Sequence, residues 1–324
     1  MKAHHFNSIP TLDMRQYLSG DTQAKQDFCK QLCDTCHQVG FFYLQHHNIP
    51  ISLMRSVLKE AKAFFELPQH VKNEIDISHS AHYRGYGRLQ AETTLGIPDY
   101  KETYDLGLEK TALTKTEQAY QTLHGPNQWP TSGKFDHLRF RSTITQYIDS
   151  MTQLGLQIML AISEGLGISS EHLSSGFDPN SDDAYAMLRL LHYPPTHNDD
   201  EQKFGVGPHV DAGCLVFLLQ DDVGGLQVQN HAGDWIDAPP REDTFIVNIG
   251  EMLQLWTSHY FKATPHRVMN HHDKFRISAP FFFEPNLSTV IKPLSIFNQS
   301  AADAHGVLYG EHMLKIFERS FVKS

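Results

Sequence analysis

The chain has 324 residues, of which 40% are hydrophobic and 20% charged, and this composition excludes a disordered protein. Acidic side chains outnumber basic ones by 37 to 27, and the resulting net charge of −10 disfavours nucleic acid or an anionic membrane as the main partner. No apolar run reaches the roughly 18 residues of a transmembrane helix, and the first ten residues lack the apolar core of a signal peptide. We therefore expect a cytoplasmic protein with a full hydrophobic core, although the sequence leaves its oligomeric state open.

The first half of the chain is predicted to be mainly helical. Apolar residues recur with helical spacing over 21–38, 52–65 and 136–166, and a β-type run covers 40–45. Three of the four cysteines lie in the first of these helices. Their spacing also occurs in iron–sulfur and haem-attachment motifs, but it places them on one helix face, where we expect them to pack in the core.

From about residue 184 the pattern changes to short β-rich runs separated by turn residues. The runs cover 186–193, 214–220, 226–229, 245–249 and 277–283. Closely spaced strands of this kind favour a sandwich or a barrel. A closing helix is predicted over 306–321.

These patterns predict a mainly β protein with flanking helices. We expect residues 1–175 to form a helical and stranded region that packs on a β core of residues 176–290. Residues 291–324 would add a C-terminal helical segment. No linker rich in Pro, Gly or Ser separates these parts, so one structural unit is expected.

His-x-Asp pairs begin at His197, His209 and His271, and their contexts differ. The first and last lie in polar loops, whereas His209 and Asp211 come just before the most apolar predicted strand. In extended backbone they would face the same side, and His266 offers a third ligand from another strand. Two imidazoles and one carboxylate suit non-haem Fe(II), because they leave metal positions open for other ligands. On spacing alone, ordinary polar residues at strand ends remain the commoner explanation.

Arg276 and Ser278 open another apolar strand and share one of its faces. An arginine is awkward there unless it meets an anion. A guanidinium group beside a hydroxyl suits a carboxylate, although an exposed arginine on an edge strand is the simpler alternative.

The order of motifs along nearly the whole chain resembles the Fe(II)/2-oxoglutarate-dependent oxygenases, more closely a bacterial member of their isopenicillin N synthase-like branch. In the second half the motifs are 209–211 (HVD), 224–228 (GGLQV), 233–235 (GDW), 247–253 (VNIGEML), 265–268 (PHRV) and 276–278 (RIS). In the first half and at the C-terminus they are 9–13 (IPTLD), 40–50 (GFFYLQHHNIP), 64–68 (FFELP) and 309–312 (YGEH).

This resemblance implies a double-stranded β-helix, or jelly roll, with flanking helices. It also implies a metal site and a cosubstrate site. The implied iron ligands are His209, Asp211 and His266. The residues implied to hold the far carboxylate of 2-oxoglutarate are Arg276, Ser278 and Tyr193. Plant members often carry Asn at the position of His192, which leaves the role of that histidine open.

The activity implied is oxidation of a small-molecule substrate, by hydroxylation or a related C–H oxidation, with release of succinate and CO₂. Fe(II), 2-oxoglutarate and O₂ would be required, with ascorbate as an additional reductant. Two alternatives on the same fold remain open: an iron oxidase that does not use 2-oxoglutarate, and an ethylene-forming type of enzyme. A non-catalytic metal- or ligand-binding jelly roll is the alternative from another class.

In relatives of this branch, the stretch corresponding to residues 90–102 lines the mouth of the substrate pocket. Glu92 and Thr94 match polar positions there, and Arg84 and Tyr86 lie just upstream. We expect these four residues to contact the substrate, and a carboxylate at Glu92 would favour a cationic or polar nitrogen. A solvated Glu92, or a structural charge network built from its charged neighbours, is the alternative. Those neighbours are Asp99, Lys101 and Glu102.

Overall fold

The computed structural model describes residues 6–131, 135–196, 204–271, 273–297 and 305–320. The α-helices within these ranges are α1 (Arg15–Leu18), α2 (Thr22–Gln38), α3 (Ile51–Phe65), α4 (Gln69–Asn73), α5 (His137–Gly165), α6 (Glu171–Ser174), α7 (Glu251–Trp256) and α8 (Tyr309–Ser320). None of these described helices is both long and apolar enough to cross a membrane.

Strands form the sheets of the described residues. They are β1 (Thr11–Asp13), β2 (Phe41–Gln45), β3 (Gly85–Gly87), β4 (Thr93–Thr94), β5 (Ile97–Pro98), β6 (Glu102–Gly107), β7 (Ala186–Tyr193), β8 (Phe204–His209), β9 (Leu215–Gln220), β10 (Leu226–Gln229), β11 (Trp235–Asp237), β12 (Thr244–Ile249), β13 (His266–Met269), β14 (Arg276–Phe283), β15 (Val290–Ile291) and β16 (Val307–Leu308).

Two sheets form the jelly-roll core. In the described part of the chain, the larger sheet has the order β1-β2-β12-β9-β14-β7-β6-β3 and the smaller one β11-β10-β13-β8. Their pairs are antiparallel except for β1 and β2, which run parallel. Four strands of the larger sheet come from the first 107 residues. The N-terminal region therefore extends the larger sheet as well as packing on it.

Strand β14 shows how a period of two separates scaffold from site. On one face its side chains are buried in the core beneath the helices; these are Ile277, Ala279, Phe281 and Phe283. On the other face its side chains line a cavity between the two sheets; these are Arg276, Ser278, Pro280 and Phe282. Since successive side chains of a strand point to opposite faces, one apolar strand supports both the scaffold and the cavity wall.

Helix α5 is the scaffold helix predicted for 136–166. The side chain of Asp136 caps it by accepting a hydrogen bond from the amide of Arg139 at 3.1 Å. The helix approaches β14 closely at Gly155, where an added Cβ atom would lie 2.4 Å from the ring of Phe283. That ring is in turn stacked on Phe177 at 4.9 Å.

The predicted helices and strands of the scaffold are confirmed within a few residues. Helix α2 begins after Asp21, whose side chain caps it by accepting a hydrogen bond from the amide of Ala24. The cysteines of α2 are buried in the core, and burial raises the pKa of Cys29 to about 11 and that of Cys33 to about 12. The C-terminal helix begins three residues later than predicted, because Val307 and Leu308 pair with β15. Strand β8 was not predicted, and neither were β1 and β3 to β6 in the first half of the chain.

The contact at Gly155 yields a stability prediction that opposes helix propensity. Gly155→Ala should gain about 1 kcal/mol from propensity but lose about 1–3 kcal/mol from overpacking against a ring that is itself held in place. We expect a net loss of up to about 2 kcal/mol in the free energy of unfolding, measured by urea denaturation. Ser142→Ala, at an exposed position of the same helix, is the matched control and should change it by less than about 0.5 kcal/mol. A more stable Gly155→Ala protein would contradict this packing.

Candidate active site

Three side chains that suit a metal ion meet between the sheets. His209 ends β8 and His266 begins β13, and the two residues lie directly opposite each other in the antiparallel ladder. Asp211 follows two residues after His209. One ligand atom from each of the three lies within 4.8 Å of the others. Two imidazoles and a carboxylate form the donor set typical of non-haem Fe(II) sites.

Hydrogen bonds orient both imidazoles toward Asp211. Nδ1 of His209 lies 2.9 Å from the carbonyl oxygen of Gly207, and Nδ1 of His266 lies 3.2 Å from that of Thr264. An imidazole that donates from Nδ1 carries its lone pair on Nε2. These Nε2 atoms lie 3.7 Å and 3.6 Å from the carboxylate oxygens of Asp211. The donor atoms therefore face one another, as a bound cation requires.

Burial, reinforced by the neighbouring His266, lowers the pKa of His209 to about 4. The ring is consequently neutral at physiological pH, and it can offer a lone pair to a metal ion without first losing a proton.

Arg276 and Ser278, predicted to share a face, do so. Arg276 is only 2% exposed, its Nη1 donates to Oγ of Ser278 at 3.2 Å, and its Nη2 donates to Oε1 of Gln220 at 2.9 Å. The guanidinium carbon lies 4.9 Å above the ring of Tyr193. Nε of Arg276 is buried with no hydrogen-bond acceptor among the described residues. A buried cation with an unused donor fits a bound carboxylate.

These two clusters line one cavity of about 650 Å³. Its walls are largely apolar and come from both sheets, and one side is formed by Met313, Ile316 and Phe317 of α8. The C-terminal helix thus contributes to the site, which its own sequence pattern did not reveal.

Glu92 and Thr94 also line this cavity, and Glu92 belongs to a buried charge network. Lys101 Nζ lies 2.6 Å from Asp99 and 3.0 Å from Glu92. Arg189 Nη1 lies 3.0 Å from Glu92. Nε and Nη2 of Arg189 each donate to Asp105 at 2.7 Å. Glu92, Asp99 and Lys101 therefore form the structural charge network that the sequence offered as an alternative. This network lies on the wall of the cavity.

The network keeps Glu92 ionised. Burial raises the pKa of this carboxyl group, but its ion pairs with Arg189 and Lys101 outweigh that effect and hold the pKa at about 2. Nη2 of Arg189 lies 2.9 Å from Oε1 of Glu92 without hydrogen-bond geometry, so this oxygen has no donor among the described residues.

Arg84 and Tyr86 are placed elsewhere, which corrects the expectation that they reach the substrate. Tyr86 lies on β3, the outermost strand of the larger sheet, and its ring is buried in the main hydrophobic core, whereas Arg84 directly precedes that strand. Arg84 packs over the ring of Tyr185 at 5.4 Å. The hydroxyl of Tyr86 donates to Glu102. Neither residue lines the cavity.

Glu102 belongs to this second cluster rather than to the network of Glu92. It accepts hydrogen bonds from Lys72 Nζ at 2.6 Å and from His192 Nδ1 at 2.7 Å. Burial raises the pKa of Glu102, but these partners and Tyr86 lower it to about 2. His192 therefore has a structural partner behind the cavity wall.

The His-x-Asp pair at His271 does not join the site. Nδ1 of His271 lies 2.7 Å from Asp273, and both side chains are exposed, as expected for a surface turn. His197 lies outside the described residues.

Sequence reasoning missed two polar residues beside the metal ligands. Nδ2 of Asn248 donates to Oδ2 of Asp211 at 2.7 Å. Glu284 accepts a hydrogen bond from the amide of Cys214 at 2.7 Å, and burial raises its pKa to about 8. Asn248 lies in the motif 247–253 and Glu284 directly follows β14, but only their positions in the fold show that they reach the turn around Asp211.

Comparison with known proteins gives two family matches. Residues 9–132 match the model described as non-haem dioxygenase in morphine synthesis N-terminal, and residues 184–285 match the 2OG-Fe(II) oxygenase superfamily. The chain is 33% identical to homoarginine-6-hydroxylase 2-ODD-C23 of Glycine max, with 96% of both chains covered. It is 34% identical to the 2-oxoglutarate-Fe(II) type oxidoreductase hxnY of Emericella nidulans, covering 88% of this chain and 82% of the other.

A solved structure agrees with these matches. The crystal structure of a full-length Neurospora crassa protein in complex with alpha-KG and thymine has a TM-score of 0.81 and 28% sequence identity, with 96% of both chains covered. Fold, donor set and relatives therefore agree. The chain belongs to the 2OG-Fe(II) oxygenase superfamily and is a 2-oxoglutarate-dependent Fe(II) dioxygenase that acts on a small molecule.

Proposed function

We propose that this dioxygenase holds Fe(II) through His209, Asp211 and His266 and hydroxylates a substrate that presents a cationic or polar nitrogen to Glu92. The convergence of the three donor atoms within 4.8 Å carries the first part. When bound together, Fe(II), 2-oxoglutarate and O₂ supply the oxidising power for C–H hydroxylation and yield succinate and CO₂.

In this proposal Arg276 and Ser278 bind the far carboxylate of 2-oxoglutarate, and Tyr193 forms the adjoining wall. The unused buried Nε of Arg276 supports this assignment, since a carboxylate would satisfy it. Gln220 accepts a hydrogen bond from Nη2 of the guanidinium group and so helps to fix its orientation at the cavity wall.

The remaining side chains exclude water and orient the substrate. The cavity walls are largely apolar, including Met313, Ile316 and Phe317 of α8, and so offer few hydrogen bonds to solvent. The polar wall around Glu92 then orients the bound substrate, with its nitrogen-bearing end beside this carboxylate.

Two observations support a nitrogen-bearing substrate. The network beside the cavity contains three carboxylates, Glu92, Asp99 and Asp105, against the two cations Lys101 and Arg189. One oxygen of Glu92 also lacks a hydrogen-bond donor. In the same direction, one relative is named a homoarginine hydroxylase and the solved Neurospora crassa structure contains thymine, and both compounds carry N–H groups.

We also propose where the protein is located in the cell and what kind of partner it binds. We place it in the cytoplasm, which its four free, buried cysteines support because thiols stay reduced there. Its partners are then small molecules rather than nucleic acid or membranes, in keeping with the net charge of −10. Membership of the isopenicillin N synthase-like branch stays a prediction.

The metal site is tested by replacing its ligands. Alanine at His209, Asp211 or His266 should abolish turnover and weaken Fe(II) binding, because each removes one of three donors. Binding is measured by anaerobic calorimetry and turnover by succinate release. The control, His271→Ala, should retain both. Loss of iron binding in His271→Ala but not in His209→Ala would refute the assignment.

The cosubstrate site is tested with Arg276→Gln. Losing a charge-assisted contact of about 1.5–3 kcal/mol should raise the 2-oxoglutarate concentration for half-maximal turnover by about 10- to 100-fold, with Fe(II) affinity nearly unchanged. The matched control is Arg267→Gln, because Arg267 packs on Trp235 at 4.1 Å and does not line the cavity. An unchanged 2-oxoglutarate requirement in Arg276→Gln would show that another residue binds the cosubstrate.

The substrate preference is tested by screening metabolites for stimulated succinate release and then assaying Glu92→Gln. This change keeps the shape but removes the charge, so coupled turnover of a nitrogen-bearing substrate should fall while Fe(II) binding and uncoupled 2-oxoglutarate decay persist. Glu242→Gln, at an exposed carboxylate, is the control. If the best substrate is anionic or wholly apolar and Glu92→Gln turns it over normally, the proposed role of Glu92 is wrong.

A further inference from the structure

Asn248 is a buried amide in an otherwise apolar part of strand β12. It is 4% exposed and lies opposite Phe41 on one neighbouring strand and Val216 on the other. A buried amide without a partner costs free energy, so its position requires an explanation. Its side chain lines the cavity and donates to Oδ2 of Asp211 at 2.7 Å.

The main chain around Asp211 is already fixed by other contacts. The amide of Glu251 donates to the carbonyl of Asp211 at 2.7 Å, and that of Met252 donates to the carbonyl of Gly213 at 2.9 Å. The amide of Gly250 donates to the carbonyl of Cys214, also at 2.9 Å. These bonds hold the turn in place but leave the carboxylate free to rotate about its side-chain bonds.

Asn248 supplies the missing constraint. Among the described residues it is the side chain that donates a hydrogen bond to this carboxylate. The bond also spans the two sheets, because Asn248 belongs to the larger sheet whereas Asp211 follows β8 of the smaller one. An amide suits this task, since it is neutral and does not cancel the negative charge that would attract a cation.

We propose that Asn248 is a positioning residue that holds Asp211 in the orientation in which its carboxylate faces Nε2 of His209 and His266. The inference rests on the proposed iron site and adds to it a residue outside the ligand set. Pre-orientation lowers the entropy lost when the carboxylate binds a cation. Outer partners of metal ligands commonly change metal affinity by about 10- to 100-fold.

The experiment measures binding of Co(II) and Fe(II) to metal-free protein by anaerobic calorimetry, together with its thermal unfolding. Asn248→Leu removes the donor at similar volume, and Asn248→Ser withdraws it to a shorter side chain. Both should bind metal about 10- to 100-fold more weakly, without a matching loss in the Tm of the metal-free protein. The control is Asn127→Leu, a buried asparagine that bonds the backbone of Gly107 and lies outside the cavity. It should lower Tm but leave metal affinity unchanged.

Native metal affinity in folded Asn248→Leu or Asn248→Ser overturns the inference. So does a variant in which metal affinity stays native and only the affinity for 2-oxoglutarate, titrated into the metal-loaded protein by the same calorimetry, falls, because that would mean Asn248 contacts the cosubstrate instead. His209→Ala is measured in the same assay, so that a failure of the Asn248 proposal can be told apart from a failure of the iron site. If His209→Ala also binds metal normally, the proposed site itself is wrong, whereas loss of binding in His209→Ala alone refutes only the role of Asn248.

Discussion

The pairing of His209 with His266 across β8 and β13 is the constraint on which the rest of the site depends. It fixes two imidazoles in register through a backbone ladder, so neither can move without disturbing the smaller sheet. Asp211 completes the set only because the turn that carries it is tied to α7 through main-chain bonds and to the larger sheet through Asn248. The site is therefore a property of both sheets together, with rigid strands defining distances that loops alone would hold less well.

The cavity between the sheets separates two kinds of polar chemistry. On β14, Arg276 and Ser278 form a buried cationic end that a carboxylate would complete. Across the cavity, Glu92 lies in a network with Lys101 and Arg189, whose positive charges lower the pKa of this buried carboxyl group. Burying isolated charges would be too costly, so each cation in this network has at least two carboxylate partners. Between these two polar regions the walls are apolar, which suits a substrate with a hydrocarbon part next to a polar group.

The sequence predicted the parts of this arrangement that depend on local periodicity. Alternation along β14 placed Arg276 and Ser278 on one face, and helical spacing predicted α2, α3 and α5. Strand β8 was missed because Gly205, Gly207 and Pro208 interrupt the apolar alternation that marks a strand, and only pairing with β13 makes it one. His209 was nevertheless a correct partner for Asp211 in space, since the two residues remain close beyond the strand end.

The remaining errors share a physical cause, which is that local sequence does not determine which face of a strand meets which layer. Tyr86 lies on an edge strand, and its hydroxyl donates to Glu102 of the neighbouring strand β6 rather than facing the cavity. Asn248 is the converse case, an inconspicuous residue that becomes important once β12 is placed beside β9 and β2. The most direct test of the account is a crystal of protein grown anaerobically with Fe(II) and 2-oxoglutarate, with anomalous scattering measured at the iron edge. We predict one iron peak between Nε2 of His209, the carboxylate of Asp211 and Nε2 of His266, with the cosubstrate's far carboxylate on Arg276. An iron peak elsewhere, or 2-oxoglutarate bound away from Arg276, would contradict it.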